Sequence, residues 1–461
     1  MGAGVGERVA LFLPNIPAFP IAYLAVQKIG AIAVSVNCML TPEELHHVLT
    51  DSSSRLVVTT AALLPQLQPL LGIDLTPEQV ILCEGSVAGH LVFDDLGSDT
   101  AQSFSPRAMD RDDPAAILYT SGTTGTQKGA VLSHGNVVSN MYATGHALRV
   151  DPADRLLLFL PLFHCFGQNF IMNAALNSGA TIVLHRRFVP QVVLDSIVGD
   201  GVTMFFGTPA VYIALLNAGA DPRHFTGVRY YFSAAATMPV EVAERWRDMF
   251  GRPVYEGYGL TETSPFASYN HEWSHRPGSV GTPVEMVEIK VVDVDDQEVA
   301  TGSWGEILIK GPNVMIGYWN RPEDTEAALR DGWFHTGDVG YLDPDGYVFL
   351  VDRVKDMINA GGFKIWPREV EEVLYRHPAI KECAVVGVPD ALTGEVARAV
   401  VVLQPGADLT AAALEAYCRA HMATYKVPRQ IEFTMELPKS ATGKILKRVL
   451  RAQARPAEAT S

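Results

Sequence analysis

The segment Leu118-Tyr119-Thr120-Ser121-Gly122-Thr123-Thr124-Gly125-Thr126-Gln127-Lys128-Gly129 gathers hydroxyls and glycines ahead of one lysine. Glycines let backbone come close to a ligand, hydroxyls donate to phosphate oxygens, and an ammonium adds compact positive charge. Such a loop suits phosphate binding; its plain alternative is a flexible polar loop. It is not a P-loop, which ends in Gly-Lys-Ser/Thr, because here the lysine precedes a glycine. Other groups with usable chemistry lie far downstream: Glu262, the pair Asp338 and Arg353, and Lys444 on a Pro/Ser/Gly-rich loop. A carboxylate is a hard ligand or an acceptor for hydroxyls, and a guanidinium is a bidentate fork. Each also has an ordinary reading. Glu262 can be a surface carboxylate, Asp338–Arg353 a simple ion pair, and Lys444 with Lys447 and Arg448 a solvated helix start.

The elements that must position these groups alternate. Strands are expected at 8–13, 32–36, 55–59 and 79–83, with helices between them at 22–29 and from Pro42 onward. The second helix opens on Thr41-Pro42-Glu43-Glu44, a capping box with proline in its first turn. Strands at 115–120, 156–160, 181–184, 202–206 and 228–232 continue the rhythm. A β-α-β-α order implies an α/β fold of parallel and mixed sheets covered by helices. Beyond about residue 280 the texture turns antiparallel, with strands at 289–294 and 306–310 and a hairpin at 341–348. A helix from Pro367 to Arg376 and strands at 383–388 and 397–403 then make a small α+β unit. The expected division is a large N-terminal domain with a β-rich subdomain, 1–352, and a small mobile C-terminal domain, 353–461.

Composition narrows the partners. The chain has 461 residues, 48% of them hydrophobic, and a formal net charge of -15. That charge repels a polyanion, so no nucleic acid is expected to bind. The five cysteines form no CxxC pair, which argues against a zinc site and a disulfide framework. The most apolar stretch, 9–36, is broken by prolines and polar residues, so no integral membrane segment and a cytoplasmic location are expected.

Four segments in order resemble the adenylate-forming superfamily of acyl-CoA synthetases, adenylation domains and beetle luciferases, and most of all fatty acyl-CoA ligases. They are the loop at 118–129; Glu256-Gly257-Tyr258-Gly259-Leu260-Thr261-Glu262-Thr263; Gly332-Trp333-Phe334-His335-Thr336-Gly337-Asp338 with Asp352-Arg353-Val354-Lys355-Asp356; and Pro438-Lys439-Ser440-Ala441-Thr442-Gly443-Lys444. The resemblance implies an ATP-dependent acid–thiol ligase that forms an acyl-adenylate and releases pyrophosphate and AMP. It implies that Thr120, Ser121, Gly122, Thr123, Thr124, Gly125 and Lys128 hold phosphates, with Ala235, Glu256, Gly257 and Gly259 beside the nucleotide. Tyr258 offers a face to adenine, Thr261 a hydroxyl to the α-phosphate, and Glu262 an oxygen to Mg2+. Asp338 meets the ribose, Arg353 the nucleotide, and Lys444 the charge that develops at the carboxylate and α-phosphate.

Further roles follow from the same resemblance. Pro161-Leu162-Phe163-His164 matches the border of the acyl pocket, making His164 a gate or, alternatively, a packed histidine. Phe166, Gln168, Phe206, Gly207 and Thr208 are its expected neighbours. Lys355 is the expected hinge of the C-terminal domain, and Gly361-Gly362 lines a pantetheine channel or makes a simple turn. Arg187 meets CoA phosphates or is a solvated charge. The apolar setting favours a medium- or long-chain fatty acid, with an aryl acid as the alternative. Coenzyme A is the expected thiol, and an acyl carrier protein the alternative acceptor. Two local departures stand out: Gln127 replaces a proline common before the loop lysine, and Ser233-Ala234-Ala235-Ala236 lacks the usual glycine after the serine. The chain also opens on a strand, Glu7-Arg8-Val9-Ala10, that relatives precede with another strand and helices, so an amino-terminal layer is expected to be missing.

Overall fold

The computed structural model describes residues 3–71, 79–97, 104–121, 127–390 and 392–453. Four sheets organise them. At the centre of the first, Arg8–Phe12 pairs in parallel with Ile32–Ser35 and Leu56–Thr60. Val9 and Leu11 point into one core while Ala10 and Phe12 point into another, so the strand is buried on both faces. Such two-sided burial is why it reads as a continuous apolar run. The eight-stranded sheet ends on two-residue strands, Gly317–Tyr318 at one margin and Leu91–Val92 at the other.

The helix Pro42–Ser52 forms where its capping box places it: Glu44 N–H donates to Thr41 Oγ1 and Thr41 N–H to the Glu44 carboxylate. The first helix begins earlier than expected, spanning Ala18–Lys28, because Pro20 sits in its first turn, where no intrahelical N–H is lost.

The second sheet stacks parallel strands Arg155–Leu158, Met204–Gly207, Tyr230–Ser233 and Tyr255–Tyr258. Between Arg155–Leu158 and Thr181–Leu184 lies a π-helix, Phe166–Asn173, every residue of which is buried. π-Helices are rare and frequent at functional sites. Here an internal polar seam supports it: Ser35 Oγ donates to Gln168 Oε1 at 2.5 Å, and Gln168 and Asn173 both donate to Asn169 Oδ1 at 3.1 Å.

The third sheet is antiparallel, built on Glu288–Val292, Gly305–Lys310 and Trp333–Leu342. Val348–Arg353 closes its hairpin through a turn whose Asp343 carboxylate accepts from Asp345 and Tyr347 N–H. The single turn Val354–Asp356 leads into the fourth sheet, where Ile380–Asp390 and Gly394–Leu403 pair along their whole length. Its two faces feed separate small cores, Val385 and Ala399 on one side, Val386 and Val400 on the other.

Candidate active site

A cavity of about 1440 Å³ opens where the first three sheets meet the C-terminal segment. Its wall brings together Thr120, Lys128, Ala235, Gly257, Tyr258, Gly259, Thr261, Glu262, Asp338, Arg353, Lys355 and Lys444, with His164 and Phe166 at one end. Gly122, Thr123, Thr124 and Gly125 lie outside the described residues, as does the Ser121 side chain.

Thr261 and Glu262 share one tight turn, Thr261–Thr263, that follows the strand Tyr255–Tyr258. Thr263 Oγ1 donates to the Pro265 carbonyl, and Asn313 Nδ2 donates to the carbonyls of Thr263 and Phe266. Gly259 is required there, since a Cβ would fall 1.4 Å from the Pro265 oxygen. The Glu262 carboxylate accepts from Tyr318 O–H at 2.9 Å, and Lys128 pairs with Asp324 beside the Tyr318 ring. The loop lysine and the carboxylate therefore meet through two residues from the segment 318–324.

Glu262 offers a hard oxygen beside the Thr261 hydroxyl, an oxygen set that fits Mg2+ when substrate phosphates complete the shell. Among the described residues no group of three or more His, Cys, Asp or Glu is close enough to hold a metal alone.

Tyr258 O–H donates to Asp338 Oδ2 at 2.7 Å, and Arg353 Nε lies 2.9 Å from Asp338 Oδ1. The ion pair is real, and it leaves Asp338 with spare lone pairs facing the cavity. Burial lowers the His164 pKa to about 4, and the Lys444 charge pushes the same way. His164 is thus neutral. Its Nδ1 accepts from Phe166 N–H at 3.2 Å, which leaves the proton on Nε2.

Lys444 is carried by a tight hairpin in which Ser440 N–H donates to the Lys444 carbonyl and Lys444 N–H to Ser440 Oγ. Gly443, at φ +82°, packs against Thr208 and Ala210 of the large domain. The lysine is reachable by water yet walled in by protein. That crowding, together with Arg353 and Lys355, lowers its pKa to about 8, while Asp338 and Asp356 oppose the shift. Lys439, by contrast, is held by Glu382 at 2.6 Å. Lys447 is not a solvated helix start but pairs with Glu371 at 2.8 Å.

Several expected residues stand elsewhere. Glu256 is not part of the cavity wall: its carboxylate accepts from Met238 N–H at 3.2 Å and is buried near Arg368 and Glu372, which do line it. Burial raises its pKa to about 7. Glu256 shares a strand face with Tyr258, so alternation does not separate the two; its contacts with Met238 N–H and the neighbouring Arg368 and Glu372 hold its carboxyl off the wall. Gln168 belongs to the polar seam behind the wall, and Phe206, Gly207 and Thr208 lie in that second layer rather than on the surface of the cavity. Gly361 and Gly362 form the exposed turn between Ile358–Ala360 and Phe363–Ile365, both at positive φ and outside the cavity wall. Arg187 is exposed and outside it as well. Tyr318, Asp324, Asn313 and Asp356 escaped sequence reasoning. Only Asp356, inside a quoted segment, carried any local signal.

Residues 1–319 match the family model described as AMP-binding enzyme, and residues 369–444 match that of its C-terminal domain. A long-chain-fatty-acid–CoA ligase of Bacillus subtilis strain 168 is 37% identical over 481 residues, covering 97% of this chain and 86% of its own. A feruloyl-CoA synthase of an Amycolatopsis species is 37% identical over 458 residues, covering 98% and 89%. The crystal structure of a benzoate CoA ligase from Burkholderia xenovorans LB400 superposes with a TM-score of 0.90 at 30% identity, covering 98% of this chain and 90% of that one.

Proposed function

This chain belongs to the AMP-binding enzyme family and is an AMP-forming acid–thiol ligase, and we propose that it joins a medium- or long-chain fatty acid to coenzyme A. The observation that carries the reading is the placement of Lys444: a residue of the C-terminal segment enters the same cavity as His164, Thr261 and Glu262. That is the arrangement the first half-reaction needs. A carboxylate oxygen attacks the α-phosphorus of ATP, and the bond to pyrophosphate breaks. Lys444 neutralises charge building on the carboxylate and α-phosphate oxygens, an interaction strongest in the transition state. Thr261 donates to the α-phosphate, and the neutral His164 offers Nε2–H beside the carboxylate. Mg2+ held by Glu262 and phosphate oxygens would neutralise the triphosphate.

In the second half-reaction the thiol sulfur attacks the acyl carbon, the bond to AMP breaks, and the thiol proton passes to solvent. The Gly361-Gly362 turn and Arg187 lie outside the cavity, and in this reading they serve that step. The C-terminal domain, beginning at residue 353, rotates about Lys355 and replaces the Lys444 hairpin with the glycine turn.

An aryl acid is the second reading. The phenylalanines at the His164 end of the cavity favour it, and so do the names of the feruloyl and benzoate relatives. The test is to supply ATP, Mg2+ and a panel of fatty and aryl acids, with either CoA or a holo acyl carrier protein as acceptor. Mass analysis should find acyl-CoA and AMP. Transfer to the carrier protein alone would replace CoA as the acceptor, and no AMP from any acid would end the proposal.

A further inference from the structure

Next to His164, whose Nδ1 accepts from Phe166 N–H, the cavity wall carries a cluster of rings. Phe166, Phe170, Phe232 and Phe266 all contribute to its wall, and none is more than 3% exposed. Phe170 stacks on Phe232 at 4.8 Å and meets Phe266 edge-on at 4.8 Å. Phe166 closes on Phe170 at 5.2 Å, and Phe206 backs the stack at 6.0 Å from Phe170. These spacings are van der Waals contact between rings and leave no bore for an alkyl chain to pass between them.

The wall cannot readily retreat. Phe232 is pressed against the neighbouring strand: a Cβ added to Gly257 would lie 2.3 Å from its Cζ. Phe166 and Phe170 are held by the π-helix, whose position the Ser35–Gln168 and Asn169–Asn173 hydrogen bonds fix. Shifting the helix that carries Phe166 and Phe170 would break that buried polar seam, which is costly.

We infer that Phe170, backed by Phe232 and Phe266, is the length stop of the acyl site, so that the acid's apolar part ends against it. This rests on the reading above, in which the carboxylate lies at His164, and it narrows the acid to the medium-chain or single-ring end of the range. Phe170 is a specificity-determining residue: an acid that fits stops at its ring, and a longer one collides with it.

The test compares kcat/KM for straight-chain acids from hexanoate to octadecanoate in the parent protein, in Phe170→Ala and in Phe266→Leu. The parent is expected to favour octanoate over octadecanoate. Opening the wall should raise the octadecanoate-to-octanoate ratio about tenfold or more, the scale on which an apolar pocket discriminates methylenes. If Phe170→Ala is not recovered folded, Phe266→Leu carries the same comparison. A parent that prefers octadecanoate, or a ratio unmoved in active variants, overturns the inference. A parent that releases no AMP with any acid overturns instead the reading on which it rests.

Discussion

In the proposed mechanism Lys444 acts as an ammonium, and its surroundings draw its pKa down to about 8. Replacing it by alanine should slow pyrophosphate release about a hundredfold or more, the scale of losing one transition-state donor. Thioester formation from a supplied acyl-adenylate should survive, because the proposed mechanism gives Lys444 no part in that step. Equal losses in a two-substrate rapid-quench comparison would contradict the division. The lowered pKa adds a second expectation. With the free-enzyme value near 8, the alkaline limb of kcat/KM should fall through that region as the ammonium loses its proton. His164, already neutral, adds no limb there. Lys444→Arg should move the limb above pH 10, since guanidinium keeps its proton; a limb that stays put belongs to another group. At this scale the lysine was readable from its segment, but its electrostatics were not. They arise from Arg353, Lys355, Asp338 and Asp356, which only folding brings near. The same holds for Lys128, whose partner Asp324 lies 196 residues away.

Among the elements, the strand Tyr255–Tyr258 and the helix Pro367–Tyr375 share a buried carboxyl. Glu256 is raised from 4.5 to about 7, chiefly by burial, with Glu372 adding to the shift and Arg368 and Met238 N–H opposing it. Between those two values the folded state holds a proton that the unfolded state has released, so stability falls as pH rises through the window. Glu256→Gln keeps the shape and removes the charge. It should stabilise the protein at pH 8 by on the order of 2 kcal/mol, with the gain shrinking toward pH 5. Urea melts at both values decide it: a gain equal at both, or a loss at pH 8, refutes the electrostatic account. Elements differed in legibility for the same reason residues did. The helix Pro42–Ser52 was visible because Thr41 and Glu44 form a strictly local box. The π-helix Phe166–Asn173 was not, because its wide turns are held by Ser35, 133 residues distant from Gln168.

For the whole molecule, the question is whether both half-reactions need one arrangement or two. An added Cβ at Gly443 would lie 3.5 Å from the Ala210 Cβ, within the range a disulfide spans. The pair Ala210→Cys and Gly443→Cys should therefore lock the Lys444 hairpin onto the large domain, against about 1–2 kcal/mol of strain at the left-handed position. Oxidised, this variant should release pyrophosphate but form no acyl-CoA, and reductant should restore the second product. Acyl-CoA formed at the parental rate by the locked protein would mean no rotation is needed. The β-rich subdomain was legible from the change to antiparallel texture past residue 280, where Glu288–Val292 pairs with Gly305–Lys310. The docking of Gly443 on Thr208 and Ala210 was not, since nothing in either segment encodes the other.

The first sheet, finally, terminates on both sides in dipeptide strands among the described residues. A second molecule seeking to lengthen it meets only two residues of outermost strand at each margin. Edge strands that short disfavour fibril growth by strand addition to this sheet.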